Sequence, residues 1–484
     1  MSLTHKSQSA LEYMMTYGWA ILVIVIVAAV LYSLGIFSPS SSLSTTVTGF
    51  ANTPVSSAAF TNNGGLAFSV GDLVGYPIEI TNVTEITASG SKITILPNIT
   101  ISPSQTKVII IPKAFSSSTQ GSHESVSLTI TYTEPGQIFP GPYTSTGTVS
   151  GTTPTLFFPT NQTFAAVSEL TITNSQTAAT PSPFQQMINI TSTSPGWAYI
   201  SQDFGRNVEF FYPNGTTIPS WLENYTSSHA LWWVKVGSIP ASSSITIYMG
   251  FAPTSTNLFN TVNDGEAPQL SSTYAEYDDG ANVFNNYWNF AGTTLPSNLA
   301  VSESGASYSI NNGLTCSGNG GSIFVYYNTE INPQAYVIDA YFDTGTANSD
   351  GHNELIGWGT SFSGGNGNVW WGWTDGVFVG TNAASPAYFG TGGADGSAIA
   401  VTDSSQNINY PFIGSIYWTS SSSVTGWYNY GNQNTDTTDV PTIGNAYAII
   451  GYISSGGSIT YYWARIRAYP PNGVMPSVSF GSVS

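Results

Sequence analysis

Val126-Ser127-Leu128-Thr129-Ile130-Thr131-Tyr132 alternates apolar and hydroxylated residues without a break. Successive side chains of a strand point to opposite faces, so period two predicts an antiparallel strand with one face in a core and one face wet. Alternating or apolar runs lie on either side: Ile93-Thr94-Ile95-Leu96 and Val108-Ile109-Ile110-Ile111 before it, and Ser244-Ile245-Thr246-Ile247-Tyr248-Met249 well after it. Turn residues separate them, and Pro213-Asn214-Gly215-Thr216 places Asn-Gly between apolar runs, a strong hairpin signal. The reading is a mainly β chain: a hydrophobic N-terminal helix, then three β-sandwich domains.

The helix is the exception. From Gly18 to Phe37 the chain carries no charge, enough at 1.5 Å per residue to span roughly 30 Å of hydrocarbon. A short polar leader precedes it, with Lys6 as its only basic residue, and the acid Glu12 sits at the helix edge. An ordinary secretory signal is cut after its apolar region. Here a cut between Ser7 and Gln8 would leave the apolar helix on the mature protein and put Glu12 at its fifth position. The new amino group of Gln8 would then be a cation for Glu12 of a neighbouring subunit. An uncut membrane anchor is the alternative.

Lys6-Ser7-Gln8-Ser9-Ala10-Leu11-Glu12-Tyr13 followed by the apolar helix resembles the class III signal of archaeal type IV pilins. The resemblance implies cleavage by a prepilin peptidase, a membrane location, self-association through the helix, and Glu12 as the residue that sets subunit register. Ser7 departs from the small Gly or Ala common there. It implies a leader over 1–7, a helix over 8–37 and a pilin-like β-sandwich head over 38–150.

Composition fits an exported life. Only 7% of residues are charged, aromatics reach 13%, and 26 acids against eight bases give a net charge of −18. Nucleic acid is excluded as a partner by that balance. Cys316 stands alone and makes no intramolecular disulfide, so burial must hold the fold together; the four histidines are scattered singly and show no zinc spacing.

Small residues and a proline at Thr148–Pro154 mark an expected boundary. Residues 155–252 resemble an uncharacterised β-domain of archaeal and bacterial surface proteins. Residues 253–484 resemble a concanavalin or laminin-G type jelly roll, with Tyr336–Phe342, Tyr461–Ala468 and Val478–Phe480 among its strands. That resemblance implies a carbohydrate ligand. Trp371 and Trp373 share one strand face beside Asp375 and form the candidate platform, against the alternative that these indoles fill a core. Asp343, Asp350 and Glu354 are the candidate calcium oxygens, since calcium prefers several such ligands; no other cofactor is expected.

Arg465 and Arg467 alternate with Ala464, Ile466 and Ala468, which predicts a shared wetter face and pairing with nearby acids. Asp339 and Asp343, four apart on one face, are the nearest approach to a hydrolytic carboxylate pair, but the third acid of a jelly-roll glycosidase ladder, a serine-hydrolase elbow and a Walker sequence are all missing. The expectation is binding without catalysis. Glycosylation sequons begin at Asn82, Asn98, Asn161, Asn189, Asn214 and Asn224, and none follows Thr226.

Overall fold

The computed structural model describes residues 45–159 and 162–484, less 63, 88–91, 112, 113, 115–120, 155, 347–351, 363–372, 383–387, 396, 397, 408, 443, 455 and 456. The leader and helix, with Lys6, Ser7, Gln8 and Glu12, lie outside these residues. Among the described residues no helix is long and apolar enough to cross a membrane. The chain forms two compact units, divided between Asn161 and Gln162.

The first unit is a β-sandwich. One sheet runs in the order Thr46–Gly49, Tyr143–Thr152, His123–Thr133, Ile78–Thr87, Lys92–Ile95, with Ile99–Ile101 also on Ile78–Thr87. The other pairs Val55–Phe60, Leu66–Gly71 and Thr106–Ile111. The alternation of Val126–Tyr132 is realised: Val126, Leu128, Ile130 and Tyr132 all enter the core, facing Phe68, Val70, Ile109 and Ile111. Thr148–Pro154, expected as a linker, instead supplies a strand end. Thr148 pairs with both Thr48 and Ser127, and Phe158 still bonds back to Asn62. Small residues there serve close strand packing, which composition cannot distinguish from a loop.

The same face of Ile78–Thr87 that buries Val83 also buries Glu85, whose carboxyl oxygens have no partner. Burial pushes its pKa up to about 7.

The second unit holds three sheets. Two of four strands face each other: Val208–Phe211, Ser243–Phe251, Ala166–Asn174, Ser477–Val483; and Phe184–Thr191, His229–Val236, Ser220–Tyr225, Asp264–Glu266. Leu170, Ile172, Ile247 and Met249 of one meet Ile188, Trp232 and Val234 of the other. The Asn-Gly turn forms, with Gly215 at φ 78° and Tyr212 N–H donating to Thr216 O at 2.9 Å, but the expected hairpin does not: beyond a single bridge between Phe211 and Thr217, Val208–Phe211 and Ser220–Tyr225 go to opposite sheets.

The third sheet runs through 13 described strands, with Ser458–Ala468 near its middle between Leu314–Tyr327 and Tyr336–Thr346. It curls so that Ile356, Val377 and Val379 from one end share a core with Phe342, Ile416 and Val424 from the other. The expected two layers of the last domain are therefore halves of one curled sheet. Cys316 is buried in this core, and burial pushes its thiol up to about 12.

The chain crosses the expected boundary at 252/253 twice. Asp264–Glu266 pairs in parallel with Ser220–Leu222, and Ser477–Val483 returns to pair with Ala166–Asn174, Phe480 opposite Leu170. Val478–Phe480, expected as a closing strand of the last domain, belongs to the preceding sandwich. Long-range pairing of this kind leaves no local signal.

Candidate functional site

Strand Ser458–Ala468 decides the site. Ala464 and Ile466 enter the core of the curled sheet, so Trp463, Arg465 and Arg467 point the other way. That face is not wet. Arg465 is fully buried and Arg467 only 6% exposed, because the face is covered by the sheet that contains Ser220–Tyr225 and His229–Val236. Alternation predicted the shared face correctly and its solvation wrongly, since nothing in a strand says what packs on its polar side.

The predicted pairing with acids holds. Asp339 stands opposite Arg465 in register and takes Arg465 Nε at 2.8 Å and Arg467 Nε at 2.7 Å. Arg467 Nη2 also donates to Asp339 Oδ1 at 3.2 Å. Burial alone would raise the Asp339 pKa, but Arg467 and Arg465 outweigh it and hold the carboxyl below its ordinary value. With both oxygens committed to arginines, Asp339 is not free for a hydrolytic pair with Asp343.

Aromatic rings enclose the guanidinium of Arg465. Its central carbon lies 4.3 Å from the Phe284 ring centroid, 4.4 Å from Trp233 and 4.8 Å from Trp463. Trp221 stands edge-on to Phe284 and Trp463, and donates its indole N–H to Asp278 at 2.8 Å. Asp278 in turn accepts from Tyr287 and Asn289. The neighbouring Asp279 packs over Gly265, where any Cβ would collide with its carboxyl, and burial, then Asp278 and Asp264, push its pKa up to about 9.

The third acid at this seam is Glu223. Leu222 pairs with Trp232 and Asn224 with Leu231, leaving Glu223 as an extra residue at a β-bulge. A bulge re-aims a side chain. Glu223 Oε2 receives Arg465 Nη2 at 2.8 Å, Trp233 Nε1 at 2.8 Å and the Tyr430 hydroxyl at 2.7 Å. Oε1 is buried with no partner. Burial raises the Glu223 pKa, and Arg465 and Tyr430 pull it only part of the way back. The two acids on Arg465 are thus driven apart: Asp339 stays ionised while Glu223 holds its proton more tightly than usual.

Glu223 lines a cleft of about 540 Å³ along the seam, with Tyr341, Tyr430, Asn429, His229, Asn189 and Asn224 around it. The His229 imidazole Nδ1 lies 2.8 Å from Thr226 Oγ1, and Asn429 Oδ1 accepts the Ile413 N–H. A smaller cavity of about 110 Å³ shares Met187 and Tyr430 as its wall and is lined by Arg467, Trp427 and Tyr469.

The other expected residues lie elsewhere. Trp371 is outside the described residues, and Trp373 and Asp375 are in strand Trp373–Asn382, whose side chains there are not described. Asp343 is half-buried on Tyr336–Thr346, Asp350 is outside the described residues, and Glu354 lies on His352–Phe362 with its side chain not described. Among the described residues no group of three acids, histidines or cysteines is placed to hold a metal. Asn98, Asn189, Asn214 and Asn224 are exposed, Asn82 is half-buried in a strand, and Asn161 is outside the described residues.

The sequence matches a domain of unknown function, DUF2341, over residues 204–300, a stretch that holds Glu223, Trp233 and Phe284 and runs across the expected boundary at 252/253. It is 30% identical over 350 residues to an uncharacterized protein, 562, of Sulfolobus islandicus rod-shaped virus 1. The match takes in 64% of this chain, and the chain spans 58% of the length of that relative. Solved structures with some likeness include a Bacillus licheniformis beta-glucanase, at 10% identity and TM-score 0.27, covering 38% of this chain and 97% of that one. A legume lectin-like domain from Entamoeba histolytica has 12% identity and TM-score 0.27, over 35% of this chain and 89% of its own. The CBM2 module of an evolved Dit protein of Lactobacillus casei BL23 phage J-1 has 11% identity and TM-score 0.28, over 38% and 95%.

Sequence reasoning placed Asp339 and the arginines but passed over Glu223, Tyr430 and Asn429. Trp221-Leu222-Glu223-Asn224 reads as an ordinary strand, and only the bulge turns the acid toward the cleft.

Proposed function

We propose that the protein is a surface-displayed subunit that binds glycans in the seam cleft without cleaving them. The observation that carries this is the cleft of about 540 Å³ walled by Tyr341, Tyr430, Asn429, Asn189 and Asn224, with Glu223 fixed in its wall by three donors through Oε2. Sugars present hydroxyls to such amide and phenol groups and apolar ring faces to such aromatics. A glycosidase needs a second carboxylate facing the same bond, and Asp339 is spent on Arg465 and Arg467. Display follows from the N-terminal segment: the pilin-type leader and the apolar helix after it support anchoring in the membrane, cutting by a prepilin peptidase and packing of helices into a filament.

A glycan array probed with the full chain tests the reading. Tyr341→Ala and Asn429→Ala should each weaken binding about tenfold or more, and Trp373→Ala should leave it unchanged. Loss with Trp373→Ala alone would move the site to the tryptophan strand, and release of reducing sugar would replace binding with hydrolysis.

A further inference from the structure

Two of the sequons meet at this cleft. Strand His229–Val236 lies between Phe184–Thr191 and Ser220–Tyr225, and its Leu231 pairs with Asn189 on one side and Asn224 on the other. The three residues form one row across the sheet, so the asparagines are about 10 Å apart at ordinary strand spacing. Both are exposed, and both line the cleft that Glu223 enters. Asn98 and Asn214, also exposed, do not line it.

We propose that Asn189 and Asn224 form a glycan gate: N-glycosylation at this pair closes the cleft, and the unmodified chain is the open form. This rests on the glycan-binding reading for its consequence, though not for its geometry. In the modification the side-chain amide nitrogen bonds to the anomeric carbon of a lipid-phosphate-linked oligosaccharide. The anomeric carbon–oxygen bond to phosphate breaks, the lipid phosphate leaves with the electron pair, and the amide gives up one proton. A glycan rooted on either side of Leu231 stands over the cleft mouth. It also offers its own hydroxyls to Tyr341 and Asn429, in competition with any outside ligand.

The full chain made in a host that N-glycosylates and in one that does not provides the test. Peptide mass spectrometry should find glycan on Asn189 or Asn224 in the first. Leu231→Cys then reports access, since the native Cys316 is buried: maleimide should label it more than tenfold faster in the unmodified chain. Peroxide oxidation of Met187, which also lines the cleft, gives the same contrast without a substitution. Thr191→Ala with Thr226→Ala removes both sequons while keeping both asparagines, and should restore fast labelling in the glycosylating host. Equal labelling of modified and unmodified chains overturns the gate, as does a chain modified at neither Asn189 nor Asn224. Failure of the unmodified chain to bind any glycan sinks the binding reading, and the labelling contrast still decides the gate.

Discussion

Replacing Arg465 by methionine keeps the volume of the side chain and removes its charge. Three consequences can be weighed. Asp339 retains Arg467 through two hydrogen bonds and stays satisfied. Glu223 retains Trp233 and Tyr430 but loses the cation that lowers its pKa. Five aromatic rings within 6 Å lose a cation and gain an apolar neighbour, which offsets part of the loss. Breaking a buried ion pair from one side typically costs about 3–5 kcal/mol; with Asp339 still paired, about 3 kcal/mol is expected at pH 7. The sign with pH follows from Glu223. Its folded pKa, already raised, rises further, so the variant loses stability as pH climbs above the ordinary glutamate value, and below that value Glu223 is protonated in both states and adds no penalty. At pH 4 the cost should therefore fall to about 1 kcal/mol. Urea titration followed by tryptophan fluorescence reads this, because of the 13 tryptophans only Trp19 precedes residue 162. A loss under about 1 kcal/mol at pH 7, or the same loss at both pH values, refutes the reasoning.

Glu85, with its pKa raised to about 7, should destabilise the first unit as pH rises from about 4.5 through 7. Glu85→Gln should remove that slope and gain about 2 kcal/mol at pH 8, discounted for partial solvation; hydrogen exchange of the Val126–Tyr132 amides measures it. A chain ending at Pro476 lacks the strand paired with Ala166–Asn174, and its tryptophan-detected midpoint should drop while exchange in the first unit stays unchanged. Mass spectrometry of the native N-terminus should find Gln8 as the first residue, and an intact Met1 or Ser2 terminus would leave the plain anchor. Glu12→Gln should insert in the membrane yet give few filaments, since an unpaired buried amino group costs several kcal/mol.

How far the sequence could be read depends on the range of the interaction. Val126–Tyr132 was legible because its period and its core lie on the same seven residues, and so was the Asn214-Gly215 turn. Arg465 and Arg467 were half legible: alternation put them on one face and their charge called for acids, but the cover on that face comes from a sheet over 200 residues earlier. The return of Ser477–Val483 to Ala166–Asn174 was not legible at all, because a strand carries no mark of its partner. Glu223 was missed for a different reason. A one-residue bulge changes where a side chain points without changing the composition of the strand.

The seam ties the proposed binding site to the stability of the second unit. Arg465 is held by Asp339 from the curled sheet and by Glu223 from the opposing sandwich, so the ion pair that joins the two layers also fixes the Glu223 side of the cleft wall. Tyr430 does the same from the third side, donating to Glu223 while its ring walls the cleft. Tyr430→Phe keeps the ring and removes the hydroxyl donor. If the cleft binds glycans through a wall that this hydrogen-bond network positions, that substitution should weaken binding several-fold while costing only about 1 kcal/mol of stability. Were binding to rest on the ring alone, affinity would survive and only the stability change would remain.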